Sequence, residues 1–335
     1  MSCIVNEDKR DFSVDNDAMQ AFEQRILDER WVGTVENELS AMNDGKFGRP
    51  FVFPDCVIEW GMLYRAAEKK NYRRAAGAVN YFLRKNGHPE ISVTQFYDRA
   101  QSLAGDGLSA DADDTRILGS GAGNVEKEED VSVAVDSTGM SLRKYGGWLR
   151  KYHNKREEAN GWIKVHVVVN TCTEEILAYV ITDESCGDVT CMERLIEAAG
   201  NEGHQIDRIY ADAAYDKIEL WKKYGSEGIE YCVNIKSSQT GKYAGRTVRS
   251  NGCPLRAAHI RTIIKIGPEA WKKKMGYGIR WKVECAFSDL KRMFGDVMRS
   301  RARHRMAAEI YWVIRCYNLY KSIRKVFSDL CGGVA

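Results

Sequence analysis

Helical spacing dominates the first third of this chain, and short apolar runs broken by polar turns dominate much of the rest. From Val131 onward, runs at 131 to 136, 162 to 170 and 175 to 182 have strand length. The first link is a basic loop and the second is the turn-like Thr171-Cys-Thr-Glu, so a meander is predicted. A helix at about 188 to 199, a strand at 207 to 212, a helix at 215 to 224 and a strand at 229 to 235 are predicted next, then a helix through Glu284. Met306, Ile310, Val313, Tyr317 and Tyr320 recur at helical spacing and predict a buried closing helix over Tyr311 to Phe327.

The N-terminal third reads differently. Residues 1–50 are polar and acid-rich, with a short amphipathic stretch from Met19 to Trp31, and are expected to be a flexible or partly helical arm. Residues 51–104 carry three helical patterns. Cys56 to Lys70 puts Ile58, Met62 and Ala66 on one face, Tyr72 to Asn86 stops at Gly87, and Ser92 with Gln95 forms a capping box that opens a third helix. With Lys69, Lys70, Arg73, Arg74, Arg84 and Lys85 exposed, this small helical domain fits a helix-turn-helix-like DNA-binding module. A plain bundle that only packs on the rest of the chain fits equally well. Residues 105–130, with five glycines and many acids, read as a linker, which leaves 131–328 as the second domain.

Composition narrows the class only a little. At 335 residues the chain can bury one sizeable core and a smaller domain, and 44% hydrophobic with 29% charged residues is ordinary for a globular protein. The net charge of +3 is unremarkable, but its distribution is not. Between Trp271 and Arg305 eleven Lys/Arg face three acids, and between Arg143 and Lys164 seven face two. Interleaved with Trp148, Tyr152, Trp162, Trp271, Tyr277 and Trp281, these segments suit a surface that follows a phosphate backbone and stacks on bases. The same aromatics could instead be core residues beneath a solubilising surface.

No run of about 20 apolar residues exists, and the N-terminus is acidic where a secretion signal would be basic, so no membrane association is expected and the protein should be cytoplasmic. Ten scattered cysteines without a CxxC pair read as buried thiols in a reducing compartment, and the six histidines show no ligand spacing. His166 alternates with Lys164 on one face of the strand Trp162 to Asn170, for core packing or DNA contact.

The candidate chemistry lies in acidic residues. At roughly 100° per residue, the seven-residue steps from Tyr277 to Glu284 to Lys291 drift only about 20° each on a helix, and Arg280 sits one turn before Glu284. Alone, such a stripe is equally a solvated face with an i,i+4 ion pair. Two of the strand-like runs, however, end in Asp136 and Asp212. Two aspartates at strand ends and a glutamate on a later helix are what a two-metal phosphoryl-transfer site requires, since divalent cations keep crowded carboxylates ionised. Arg280 and Lys291 would then grip phosphates beside the metals.

These residues resemble the DDE transposases of bacterial and archaeal insertion sequences, with their YxxRxxxExxxxxxK signature. Tyr277 to Lys291 reads YGIRWKVECAFSDLK, with every fixed position filled. VDST around Asp136, WIKVHVVVN from Trp162, YADAAYD around Asp212 and the tail EIYWVIRCYNLY extend the resemblance over roughly 130 to 325. Two departures are the Cys186-Gly187-Asp188 segment, where such proteins often have His before Asp, and Ser237 to Ser250, which follows no known pattern.

The resemblance implies an α/β, RNase H-like catalytic domain, a mixed sheet flanked by helices, which agrees with the element order above. It implies that Asp136, Asp212 and Glu284 are catalytic and bind two Mg²⁺ or Mn²⁺ ions, with Tyr277, Arg280, Lys291 and Lys164 as DNA-binding residues. It further implies an enzyme that cleaves the ends of a mobile element and transfers them into target DNA. Its partners would be double-stranded DNA at the element ends and the target, its working form a homodimer on paired ends, and its location the nucleoid while acting on DNA. Three other readings stay open: an RNase H-fold nuclease without strand transfer, a non-catalytic DNA-binding protein descended from a transposase, and metal-free hydrolysis by paired acids as in glycosidases. The basic segments oppose the last.

Overall fold

The computed structural model describes residues 12–28, 30–106, 108–110, 117–120, 130–142, 162–235, 252–300 and 302–332. The rest of the basic segment before Trp162, and Ser237 to Ser250, lie outside them. Packing divides the described chain into two units: residues 110–140 with 162–289, and residues 12–109 with 141–142 and 290–332.

The second of these is largely helical. It contains α1 (Phe12–Leu27), α2 (Val35–Asn43), α3 (Asp55–Ala67), α4 (Tyr72–Lys85) and α5 (Val93–Asp106). Helix α4 buries Ala75, Ala76, Val79 and Leu83, and α5 buries Phe96, Ala100 and Ala104, each set on one stripe of its helix. Helix α3 meets both at Gly61, where an added Cβ would stand 2.6 Å from Phe96 Cε2 and 2.7 Å from Val79 Cγ2. The capping box expected at the third helix is formed: Gln95 N donates to Ser92 Oγ at 3.1 Å and Ser92 N donates to Gln95 Oε1 at 3.3 Å.

Over its described part the arm, expected to be flexible or partly helical, is helical: α1 buries Val14, Ala18, Phe22 and Ile26, and the Phe22 ring meets Tyr320 edge-on at 5.8 Å. The closing helix, expected over Tyr311 to Phe327, runs over Arg303–Gly332 and groups by packing with these N-terminal helices. Trp312 sits in their core and its Nε1 donates to Ala100 O at 3.1 Å. The apolar stripe on the closing helix was visible in the sequence, but nothing local said which partner would cover it.

The other unit is built on a sheet. After the short β1 (Leu108–Ala110) come β2 (Ile117–Ser120), β3 (Val131–Leu142), β4 (Trp162–Asn170), β5 (Ile176–Asp183), β6 (Ile206–Ala211) and β7 (Glu230–Val233). The order is β2-β5-β4-β3-β6-β7. Strands β4 and β5 run antiparallel, while β6 pairs in parallel with both β3 and β7. This mixed sheet flanked by helices is the RNase H-like α/β arrangement. Six consecutive residues of β4, Val165 to Asn170, are buried, as expected for a strand covered on both faces. Strand β2 pairs antiparallel with β5, Ile117 opposite Ile181, so part of the expected linker is sheet.

Helices α6 (Met192–Asn201) and α7 (Ile218–Ser226) supply the crossovers that parallel strands need. Helices α8 (Pro254–Ile266) and α9 (Pro268–Lys274) then lead to α10 (Trp281–Phe294). No helix among the described residues is long and apolar enough to cross a membrane.

Candidate active site

The two aspartates meet because of strand register. Val135 of β3 pairs with Ala211 of β6 in parallel, so the residues that follow, Asp136 within β3, which runs on past it to Leu142, and Asp212 just beyond the end of β6, stand side by side. Backbone donors fix both: Ser137 N donates to Asp136 Oδ1 at 2.8 Å, and Ala214 N donates to Asp212 Oδ1 at 2.8 Å, where Asp212 caps a 3₁₀ turn.

Glu284 arrives by a different device. The Tyr277 to Lys291 stripe is not one helix: Tyr277–Arg280 form a 3₁₀ turn, and α10 begins only at Trp281. Gly276, at φ +63°, makes the left-handed step between α9 and this turn, a conformation that a side chain would strain. Tyr277 is buried and its hydroxyl donates to Ala211 O at 3.0 Å, which ties the turn to the end of β6 beside Asp212. From there Val283, Ala286 and Phe287 bury one face of α10 and leave Glu284 half-exposed in its first turn. Two residues before Glu284, Lys282 donates to Glu174 Oε1, in the turn between β4 and β5, at 2.5 Å.

Arg280 connects the acids. Its Nη1 donates to Asp136 Oδ2 at 3.3 Å, and its Nη2 donates to Glu284 Oε1. One guanidinium thus bridges the β3 aspartate and the helix glutamate. Burial pushes the Asp136 carboxyl up to about 6. The Ser137 amide and Arg280 pull it back, while Asp212 and Asp188 push it further up. Burial also raises the Tyr277 phenol to about 12, so it stays protonated and can only donate its hydrogen bond.

Two residues assigned to DNA contact on sequence grounds point elsewhere. Tyr277 faces inward, as above. Lys164 donates to Cys186 O at 2.9 Å and to Asp188 Oδ1 at 3.2 Å, so its ammonium is held within the unit. Lys291 lies two turns beyond Glu284 on the same helix and is half-buried. Of the aromatics interleaved with the basic segments, Trp271 is buried, whereas Trp162 and Trp281 are exposed.

Sequence reasoning missed several supports. Asp188 accepts from Ser137 Oγ at 2.8 Å, bracing the residue that follows Asp136. Asp216, four residues past Asp212, is buried and takes two bonds from Arg256, at 2.7 and 2.6 Å, and one from Trp221 Nε1 at 3.0 Å. Asp216 stood inside the YADAAYD motif and could have been suspected; Arg256 carried no signal.

Asp136 and Glu284 joined by one guanidinium, with the Asp212 carboxylate acting on Asp136, form a hard-oxygen donor set that favours added positive charge, which suits a Mg²⁺-type ion. No curated protein matches the chain. The model of the transposase DDE domain family matches residues 127–319, more than half of the chain and a span that contains all three acids. The chain therefore belongs to the transposase DDE domain family.

Proposed function

We propose that this chain is an active DNA transposase whose catalytic carboxylates are Asp136, Asp212 and Glu284. The observation that carries the reading is the Arg280 bridge between Asp136 and Glu284, beside Asp212 on the adjoining strand end. These three side chains would hold two divalent ions, Mg²⁺ or Mn²⁺, which when bound neutralise charge on the attacking and leaving oxygens of a phosphodiester displacement.

The chain's own residues do the rest. Tyr277 and Gly276 set the entry of α10 and so fix where Glu284 stands. Arg280 opposes the upward push of burial on the Asp136 carboxyl and is placed to pair with a phosphate beside the acids. Lys291, on the same helix, adds a point charge for the backbone, and the exposed Trp281 offers a face for an unstacked base. The exposed Arg73, Arg74, Arg84 and Lys85 of α4 suit a second, sequence-tolerant contact with double-stranded DNA. End cleavage followed by attack of the freed 3′-hydroxyl on target DNA needs no covalent enzyme intermediate, and joining two ends in one event calls for a homodimer.

The test uses labelled duplexes carrying the element's own ends. The wild-type protein should nick them with Mg²⁺ and transfer the label into plasmid, whereas Glu284→Gln should bind the ends and leave them intact. Normal cutting by that variant would remove Glu284 from the site. Nicking by the wild type without transfer would favour a nuclease.

A further inference from the structure

One cluster near the carboxylates has a different donor chemistry. His166 on β4, Cys186 in the turn after β5 and Cys191 at the end of the 3₁₀ turn Asp188–Cys191 bring one ligand atom each to within 4.8 Å of one another. The two sulfurs are 3.8 Å apart. A tetrahedral zinc with bonds of about 2.3 Å to each thiolate holds its sulfurs about 3.8 Å apart, so the pair already has the spacing of metal ligands rather than of a disulfide.

The imidazole is set for the same role. His166 is fully buried and its Nδ1 has no hydrogen-bond partner, the nearest acceptor being Asp188 Oδ1 at 3.6 Å. The other ring nitrogen, Nε2, is 2.9 Å from Thr182 Oγ1. Thr182 donates its own hydroxyl to Asp183 O at 3.0 Å, so towards the ring it can only accept. The proton therefore sits on Nε2, which leaves the Nδ1 lone pair as the ring's free ligand atom. A buried nitrogen lone pair without a partner costs stability unless something fills the place beside it.

We infer that His166, Cys186 and Cys191 form a binding site for a soft divalent cation of the zinc class. Two thiolates and an imidazole select zinc over magnesium, so this site is chemically separate from the oxygen-lined one. It would clip β4 to the turn that carries Asp188, whose carboxylate holds both Ser137 and Lys164 beside Asp136. The histidine and cysteines show no ligand spacing in sequence because β4 and the turn after β5 come together only through antiparallel pairing, His166 opposite Val180.

The experiment is reconstitution of the full-length, chelator-stripped, reduced protein with Co²⁺ as a spectroscopic substitute for zinc. The expected result is about one ion per chain with intense thiolate-to-cobalt charge-transfer absorption, unaffected by excess Mg²⁺ and retained in Asp136→Asn. The band should be lost in Cys186→Ser and in Cys191→Ser, and kept in Cys232→Ser, a buried thiol on β7. Circular dichroism confirms that each variant is folded, and Cys186, being only half-buried, is the variant best able to keep its fold. Absence of the band in the wild type, its survival in both cysteine variants, or a Cys186–Cys191 disulfide in place of bound metal would overturn the inference. Loss of DNA cleavage in Asp136→Asn with the band intact would separate this site from the proposed catalytic one.

Discussion

Asp136 should make the metal-free protein less stable at neutral pH than the same protein carrying Asn at that position. Its carboxyl is lifted from 3.8 to about 6, by burial first and then by Asp212 and Asp188, against the Ser137 amide and Arg280. A native pKa above the unfolded one means that the folded state holds the proton more tightly. Stability contributed by this group is therefore present below about pH 4 and lost as pH rises through about 6. A displacement of about two pKa units at about 1.4 kcal/mol each sets a ceiling of about 3 kcal/mol. Because the side chain is 23% exposed, solvent screening brings the expected value nearer to 2 kcal/mol.

The assay is urea unfolding with excess chelator at intervals from pH 4 to pH 8, for wild type and Asp136→Asn. The stability of the variant relative to wild type should rise by about 2 kcal/mol across that range, with most of the rise between pH 4 and pH 6.5. Adding Mg²⁺ at pH 8 should stabilise the wild type and leave the variant unchanged. A pH-independent difference, or a wild type that gains on the variant as pH rises, would show that Arg280 outweighs burial and the neighbouring acids, and the electrostatic reasoning would be wrong.

Three further outcomes follow from packing. Gly61→Ala should cost about 1–3 kcal/mol in urea melts because its Cβ meets Phe96 and Val79 under 3 Å, whereas Gly77→Ala on the exposed face of α4 should add about 0.5–1 kcal/mol. The reverse order would contradict the tight approach of α3 to α5. Arg256→Met strips the buried Asp216 of its two-pronged partner and should destabilise by about 3 kcal/mol, read as an early melt; an unchanged midpoint would mean that Asp216 is satisfied without it. Tyr277→Phe keeps the ring but removes the donor to Ala211 O, so a loss of about 1 kcal/mol with DNA end binding retained is expected. A selective loss of DNA affinity at full stability would assign the hydroxyl to DNA instead.

Features that depend on neighbours in the chain were legible from the residues alone. The Ser92–Gln95 capping box and the strand starts at Val131 and near 207 are written in local spacing, and so is the Arg280/Glu284 pair, whereas the run of β3 past Asp136 to Leu142 was not. Each is decided by bonds or side-chain periodicity within a few residues, which spacing encodes directly.

Only the tertiary structure decided where those pieces meet. Arg280 finds Asp136 at a separation of 144 positions, and Tyr277 turns away from solvent to reach the end of β6. Helix α1 docks on the closing helix through Phe22 and Tyr320, a partner that the amphipathic stretch of the arm did not name. His166, Cys186 and Cys191 converge through strand pairing that no spacing rule records. The physical reason is the same in each case: periodicity states which side chains share a face, while burial and charge pairing between distant segments choose what that face will touch.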